Sequence, residues 1–459
     1  MEFCMYSDLE YLEVPLPEDI QKMKCHGDFE TVRRVIDRRL RSELPSALRK
    51  RLELEQEILL RIPEQYPYSW EQACAILKEN IADFRDEELT AFWEDNMVEW
   101  VYVEGKVRFH RKFLDNLMKT RPQLAARNLH PENQKERNAN YELLDASIAE
   151  MKQKGELNYY FHIRSTMQIQ KSARRIGETI QVHLPIPLEY AQVRNFKLLS
   201  VSMEPIRVAP PDYPQRTVCF ETTLEENQKF AVEYEFENHL EYQNMEPSRV
   251  LDAQPAFYTE ELPPQIHFTP YLRMLAAEII GDEKNPLLKA EKIYEYITTH
   301  VMYSFVRSYS TITDLTSYVA CGWKGDCGIQ ALFFITLCRI AGIPARWQAG
   351  LYATPYEVGE HDWAQFYIAP YGWLFADCSF GGTAKRNGAA ERWEYYFGHL
   401  DPFRIPLSSE FQHEFAVPTG HFRNDPYDNQ DGEAAYADRN LTSAEFKTVH
   451  EALELRQIE

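Results

Sequence analysis

Hydrophobic positions change their spacing twice along the chain. Up to residue 155 they recur every three or four residues, as in Phe29–Leu40 with Val32, Val35, Ile36 and Leu40. The next such set is Leu52, Leu54, Ile58 and Leu59, within 48–62. This spacing lines one face of a helix. Pro45 separates the two segments, because proline cannot continue a helix interior. Ser69 predicts an N-cap for a helix from Trp70 to about Phe84. Residues 143–154 predict a further helix, stopped by Gly155. Trp100–Val103, then Glu104-Gly105, then 107–109 read as a short hairpin.

Between about 159 and 241 the period becomes two. Residues 160–169, 179–184, 218–220 and 230–236 alternate, with prolines at 185, 187, 210 and 211 between them. Short strands so punctuated predict a β-sandwich. Residues 242–265 form a polar, proline-bearing connector, after which 271–280 and 286–301 return to helical spacing. The expected class is α+β multidomain. A mainly helical region covers 1–155, a sandwich with its linker covers 156–262, and a third region with a C-terminal extension covers 263–459.

The third region carries the chemistry. After Cys327 come Ile329, Ala331, Leu332, Phe333, Phe334, Ile335, Leu337, Cys338 and Ile340, apolar nearly all round. Such a helix is buried on every side. Asp326 is placed to cap its start, and Gly342 and Pro344 end it. Cys327 therefore falls in the first turn, where free N–H groups and the positive helix end favour a thiolate. Its own N–H is suited to hold an oxyanion. Gly325 and Gly328 leave room for a substrate backbone.

His361 opens an alternating segment, 361–368, followed by a turn at Pro370-Tyr371-Gly372 and a return strand over 373–380 that carries Asp377. Positions 361 and 377 share parity, so they face the same side of a sheet. A tight hairpin leaves them about two residue pairs out of line. A bulge or a looser turn is the expected remedy.

Gly325-Asp326-Cys327, Gly342-Ile343-Pro344-Ala345-Arg346, His361-Asp362-Trp363, Gly372-Trp373 and Asp377-Cys378-Ser379 follow in that order. The combination resembles the transglutaminase-like core family, whose pattern is Gly-x-Cys, Gly-Ile-Pro-Ala-Arg, His-Ala-Trp, Gly-Trp and Asp-Pro-Thr. The resemblance is close over roughly 300–385. The preceding β region is similar to the sandwich of bacterial members, and 397–404 also looks family-like. The resemblance implies a papain-like core, a central helix packed on an antiparallel sheet, with Cys327, His361 and Asp377 as its triad. Two departures stand out. Asp362 replaces a small residue and adds a negative charge beside the base, and Cys378-Ser379 replaces Pro-Thr.

The implied activity is thiol-dependent acyl transfer through a thioester. Hydrolysis of a peptide or protein amide is favoured, and neither metal nor cofactor is needed. Transglutaminase or deamidase activity is one alternative; a non-catalytic peptide- or glycan-binding protein on the same fold is another. Tyr303 and Tyr318 are candidates for a second oxyanion donor, and Trp323, Gly328 and Trp363 for the substrate groove. Arg346 is expected in a structural ion pair, and Cys321 and Cys338 as packing residues.

Composition narrows the partners. The formal net charge of −21 repels phosphate backbones and anionic lipid, so neither nucleic acid nor a membrane surface is expected. Eight cysteines, from Cys4 to Cys378, lack the spacing of a disulfide framework or a zinc site. The first twenty residues lack the basic and apolar regions of a signal peptide. A cytoplasmic location is the expectation.

Overall fold

Pro45 sits at the N-cap of Ser46–Gln65, which packs against Phe29–Leu40 through Val32, Ile36, Leu52 and Ile58, all buried. The computed structural model describes residues 7–130 and 134–459; Cys4 and the start of the segment read for a leader lie outside the described residues. Ser69 caps Trp70–Asn80 in a reciprocal box with Gln72 (3.3 and 2.8 Å). This helix ends four residues before Phe84, because Ile81 turns extended and bridges Asn128. Trp100–Val103 pairs with Lys106–Phe109, and Glu104 and Gly105 both have positive φ (52° and 71°), as a two-residue turn with the twist of its strands requires. Gln134–Lys154 closes the helical region at Gly155.

Two antiparallel sheets follow. One orders its strands Phe446–Ile458, Glu156–Ile169, Phe230–Glu241, Val193–Val201. The other orders Arg439–Asn440, Glu433–Tyr436, Thr179–Pro185, Thr217–Thr223, Arg207–Val208. Alternate residues of Glu156–Ile169 and Phe230–Glu241 are buried, and Phe161 stacks on Phe236 at 5.0 Å. Three strands come from beyond residue 430, which the sequence placed in the extension of the third region. Their signal is weak: Phe446–Ile458 mixes Glu, Lys, His, Arg and Gln with its apolar positions and is mostly exposed. Its position is fixed by pairing with Glu156–Ile169.

The helix Cys327–Ile340 lies on a third antiparallel sheet, ordered Phe397–Gly398, Gly372–Ala376, Val358–Ile368, Ala345–Ala353, Arg404–Ser408. Gly328 to Arg339 are all buried, and Phe334 meets Phe366 edge-on at 5.5 Å. The return strand is shorter than expected. It stops at Ala376, and 378–380 turn into the helix Cys378–Arg386 with Asp377 as its N-cap (Phe380 N–H to Oδ1, 3.0 Å). A carboxylate able to satisfy the first turn wins over continued pairing. Among the described residues no helix is long and apolar enough to cross a membrane.

Candidate active site

The strand Val358–Ile368 runs antiparallel to Gly372–Ala376 with Ala364 opposite Ala376. That register leaves His361 and Asp377 two pairs apart, as a tight hairpin demands, with neither bulge nor looser turn. The offset closes because Asp377 leaves the strand. From the helix cap it reaches back, and His361 Nε2 lies 2.7 Å from Asp377 Oδ2.

Asp377 is fully buried. It also accepts from Ser379 Oγ (3.3 Å) and from Arg404 Nη2 (2.9 Å). Burial alone would raise its pKa; the interaction with His361, its hydrogen bond included, and the charge of Arg404 outweigh that and hold the carboxyl below its usual range. An ionised carboxylate can only accept, so Nε2 donates and Nδ1 keeps its lone pair. Burial pushes the imidazole pKa down, only partly countered by Asp377. At neutral pH the ring is uncharged.

Cys327 occupies the first turn of its helix, partly exposed. Asp326 caps the helix through Ile329 N–H (3.2 Å) and takes a hydrogen bond from Tyr309 (2.6 Å). The thiol donates to Asp362 Oδ2 at 3.3 Å. Gln430 Nε2 secures the other carboxylate oxygen (2.7 Å) and the His361 carbonyl (3.1 Å). Among the described residues no hydrogen bond joins Cys327 to His361. Burial pushes the thiol pKa well up, and the neighbouring charges of Asp362 and Asp326 push it further. Burial also lifts Asp326 to about 6. Asp362 was expected to act on the base. Its carboxyl accepts from the thiol instead.

Gly328 is pressed from three sides: a Cβ there would lie 2.2 Å from Tyr309 Oη, 2.8 Å from Asp362 Oδ2 and 3.0 Å from the Trp347 ring. Tyr303 lines a cleft of about 700 Å³ together with His361 and Phe380. The opposite wall of that cleft is Lys119, Arg137 and Asn140 of the helical region.

Other expectations need correction. Tyr318 donates to Glu99 (3.0 Å), a buried carboxylate that also holds Tyr66, Arg307 and Lys324 (2.9, 3.1 and 2.9 Å). Its hydroxyl is thus committed to fixing the segment before Cys327, not to an oxyanion. Trp323 is 53% exposed and packs edge-on against His300. Trp363 is buried, donates to Gln348 and backs the imidazole at 5.9 Å between ring centres. It is core, not groove. Arg346 stacks on Trp373 at 3.7 Å and donates to Gln365 (2.9 Å), and among the described residues it forms no ion pair. Cys321 is exposed, whereas Cys338 and Cys378 are buried.

Sequence reasoning missed Arg404, Tyr309 and Gln430. Arg404 is fully buried, paired with Asp377 and Asp401 and lying 4.1 Å over the Phe380 ring. The available signal was an Asp-Pro-Phe-Arg run inside an otherwise apolar stretch, 397–407. Tyr309 reaches the site from the short 3-10 helix Tyr309–Thr311 and Gln430 from a loop, and neither leaves a periodic trace.

Residues 273–378 match the family model of the transglutaminase-like superfamily. Among curated proteins none matches the chain. Among solved structures, a candidate cysteine protease from Cytophaga hutchinsonii is 16% identical, covering 66% of this chain and 90% of its own, with a TM-score of 0.39. The periplasmic domain of TgpA from Pseudomonas aeruginosa is 17% identical, covering 55% of this chain and 94% of its own, with a TM-score of 0.28. Over residues 273–378, then, this chain carries a domain of the transglutaminase-like superfamily.

Proposed function

We propose that the protein hydrolyses amide bonds of peptides or proteins, with Cys327 as nucleophile, His361 as general base and acid, and Asp377 as the group that orients His361. The observation that carries this reading is the 2.7 Å bond between His361 Nε2 and an ionised, Arg404-held Asp377. It leaves Nδ1 with a free lone pair on a residue adjacent to the one that holds the thiol.

The thiol swings from Asp362 to Nδ1. As sulfur bonds to the amide carbon, the thiol proton passes to Nδ1, and the Cys327 backbone N–H donates to the oxyanion. The C–N bond breaks, the amine departs with the proton from Nδ1, and a thioester remains. Water attacks it, again losing a proton to His361, and the carboxylic acid and the thiol are released. A raised thiol pKa and an uncharged imidazole favour concerted proton removal over a resting thiolate–imidazolium pair. Hydrolysis is preferred to transfer because the cleft rim, Glu136 and Arg137, is exposed and admits water.

The test is to incubate the protein with peptide amides and detect the acyl-enzyme by mass spectrometry after acid quench. An acyl group on Cys327, lost in His361→Ala, supports the reading. Turnover that survives Cys327→Ala removes it. One observation favours the non-catalytic alternative: the thiol rests on a carboxylate that disfavours its ionised form. In that case Cys327 alkylates no faster than the exposed Cys25 at any pH, and no acyl-enzyme forms.

A further inference from the structure

The cleft beside His361 has walls of two origins. Tyr303, His361 and Phe380 come from the superfamily domain and its flank, while Lys119 and Arg137 come from the helices Phe113–Thr120 and Gln134–Lys154. Lys119 projects into this space, its ammonium 5.2 Å from the ring centre of Tyr303 and 4.5 Å from that of Phe305. An ionised Cys327 sulfur would act on it through space.

Among the described residues, none of the acids around Lys119, Glu136 on the cleft rim included, forms an ion pair with it. Asp115, on its own helix, pairs with Lys112 at 3.4 Å. Glu357, across the cleft, accepts from Asn140 at 2.9 Å. Glu360 is pushed up to about 8, first by Asp431 and then by burial, so it is largely uncharged at neutral pH. Among the described residues no carboxylate pairs with Lys119. An ammonium held over two aromatic faces, in a cleft and with no described carboxylate in contact, offers a place for an anion.

We propose that Lys119 binds a carboxylate of the substrate, and so selects anionic peptides for the thiol chemistry; this rests on the hydrolase reading above. Arg137, on the same wall, extends the positive face. The protein's net charge of −21 repels anionic peptides at long range, so a preference for them has to be local. The carboxylate has two sources, an acidic side chain or a free C-terminus, and the chemistry at Lys119 is the same for both. The helical region then supplies half of the substrate site and is more than a cover for it.

The experiment has two readouts on the full chain, in the parent, Lys119→Met and Lys119→Arg. The first is the alkylation rate of Cys327 by iodoacetate, which carries a carboxylate, relative to neutral iodoacetamide. Lys119→Met is expected to lower that ratio about fivefold, the scale of a partly screened charge pair, and Lys119→Arg to keep it. An unchanged ratio, or equal slowing with both reagents, overturns the proposal. The second is hydrolysis of matched peptides: Glu against Gln with an amidated C-terminus, and a free against an amidated C-terminus with Gln. The pair whose discrimination collapses in Lys119→Met identifies the source of the carboxylate. If the parent cleaves none of them, the hydrolase reading falls, and the alkylation ratio alone still decides for or against an anion site at Lys119.

Discussion

The Cys327 thiol donates to Asp362, 3.3 Å away, while the imidazole of the preceding residue, His361, is turned to Asp377. Two neighbouring strand residues thus hold the two halves of the proposed chemistry apart. Asp362 stands where the family pattern has a small residue. Replacing it with Asn removes a carboxyl whose ionised form opposes the thiolate. Alkylation of Cys327 at pH 7 should speed up by about tenfold, the effect of one pKa unit. Iodoacetamide labelling mapped to individual cysteines reads this directly; a slower rate would mean that Asp362 assists the thiol.

Arg404 links Asp377 to Asp401 with no exposed surface on any of the three. Arg404→Met leaves two buried carboxylates without their cation and should cost about 3 kcal/mol of stability. Asp377 would then take up a proton more readily, and His361 would lose its preferred tautomer. Chemical denaturation measures the first effect. The second appears as a fall in acyl-enzyme formation larger than the fraction unfolded.

Gly328→Ala places a methyl 2.2 Å from Tyr309 Oη, so the Tyr309–Asp326 bond and the thiol must both shift. A loss of about 2 kcal/mol is expected from overpacking, with slowed alkylation of Cys327. Gly322, where an added Cβ meets nothing within 4 Å, is the control for substitution itself.

Stability should fall as the pH rises from about 6.5 to 8, above the range in which the buried histidines, held low by burial, add to stability. Folding raises Asp326 from 3.8 to about 6 and Glu360 from 4.5 to about 8, the first through burial and the second through Asp431. Burial also raises Asp362 and Asp428. Each of these binds its proton more tightly folded than unfolded. Their contribution is complete below the unfolded pKa of about 4 and is lost as pH climbs through the folded values. Asp377 and Glu99, both lowered, behave oppositely and lose their contribution on acidification. Thermal midpoints taken from pH 5 to 8 should decline only above the unfolded histidine pKa of about 6.5, and Asp428→Asn should flatten that decline. A midpoint that rises steadily to pH 8 contradicts this assignment.

The helix after Cys327, its Asp326 cap and the glycine stop were legible because each depends on a few adjacent residues. The Trp100 hairpin was legible for the same reason, its Glu-Gly pair occupying two positions of positive φ. Asp377 was found as a residue but misplaced as an element, since nothing local decides between one more strand pair and a helix cap. Gln430 and Tyr309 were out of reach, because long-range folding alone sets them beside Asp362 and Asp326. Tyr318 misled for the converse reason: its partner Glu99 lies in a different region of the chain.

Ile458 pairs with Asn158, 458 − 158 = 300 residues away, and the strand it ends fills one edge of the first sheet. During synthesis that edge stays open, its N–H and C=O groups bare, until 446–458 have emerged. Loops of such length close slowly. The segment bearing Cys327 is therefore made well before the sheet beside it can be finished, and a nascent chain passes through a stage in which the thiol exists but its supporting architecture does not. Ribosome pausing or truncation within the last strand would trap the protein there, open to strand exchange with its neighbours.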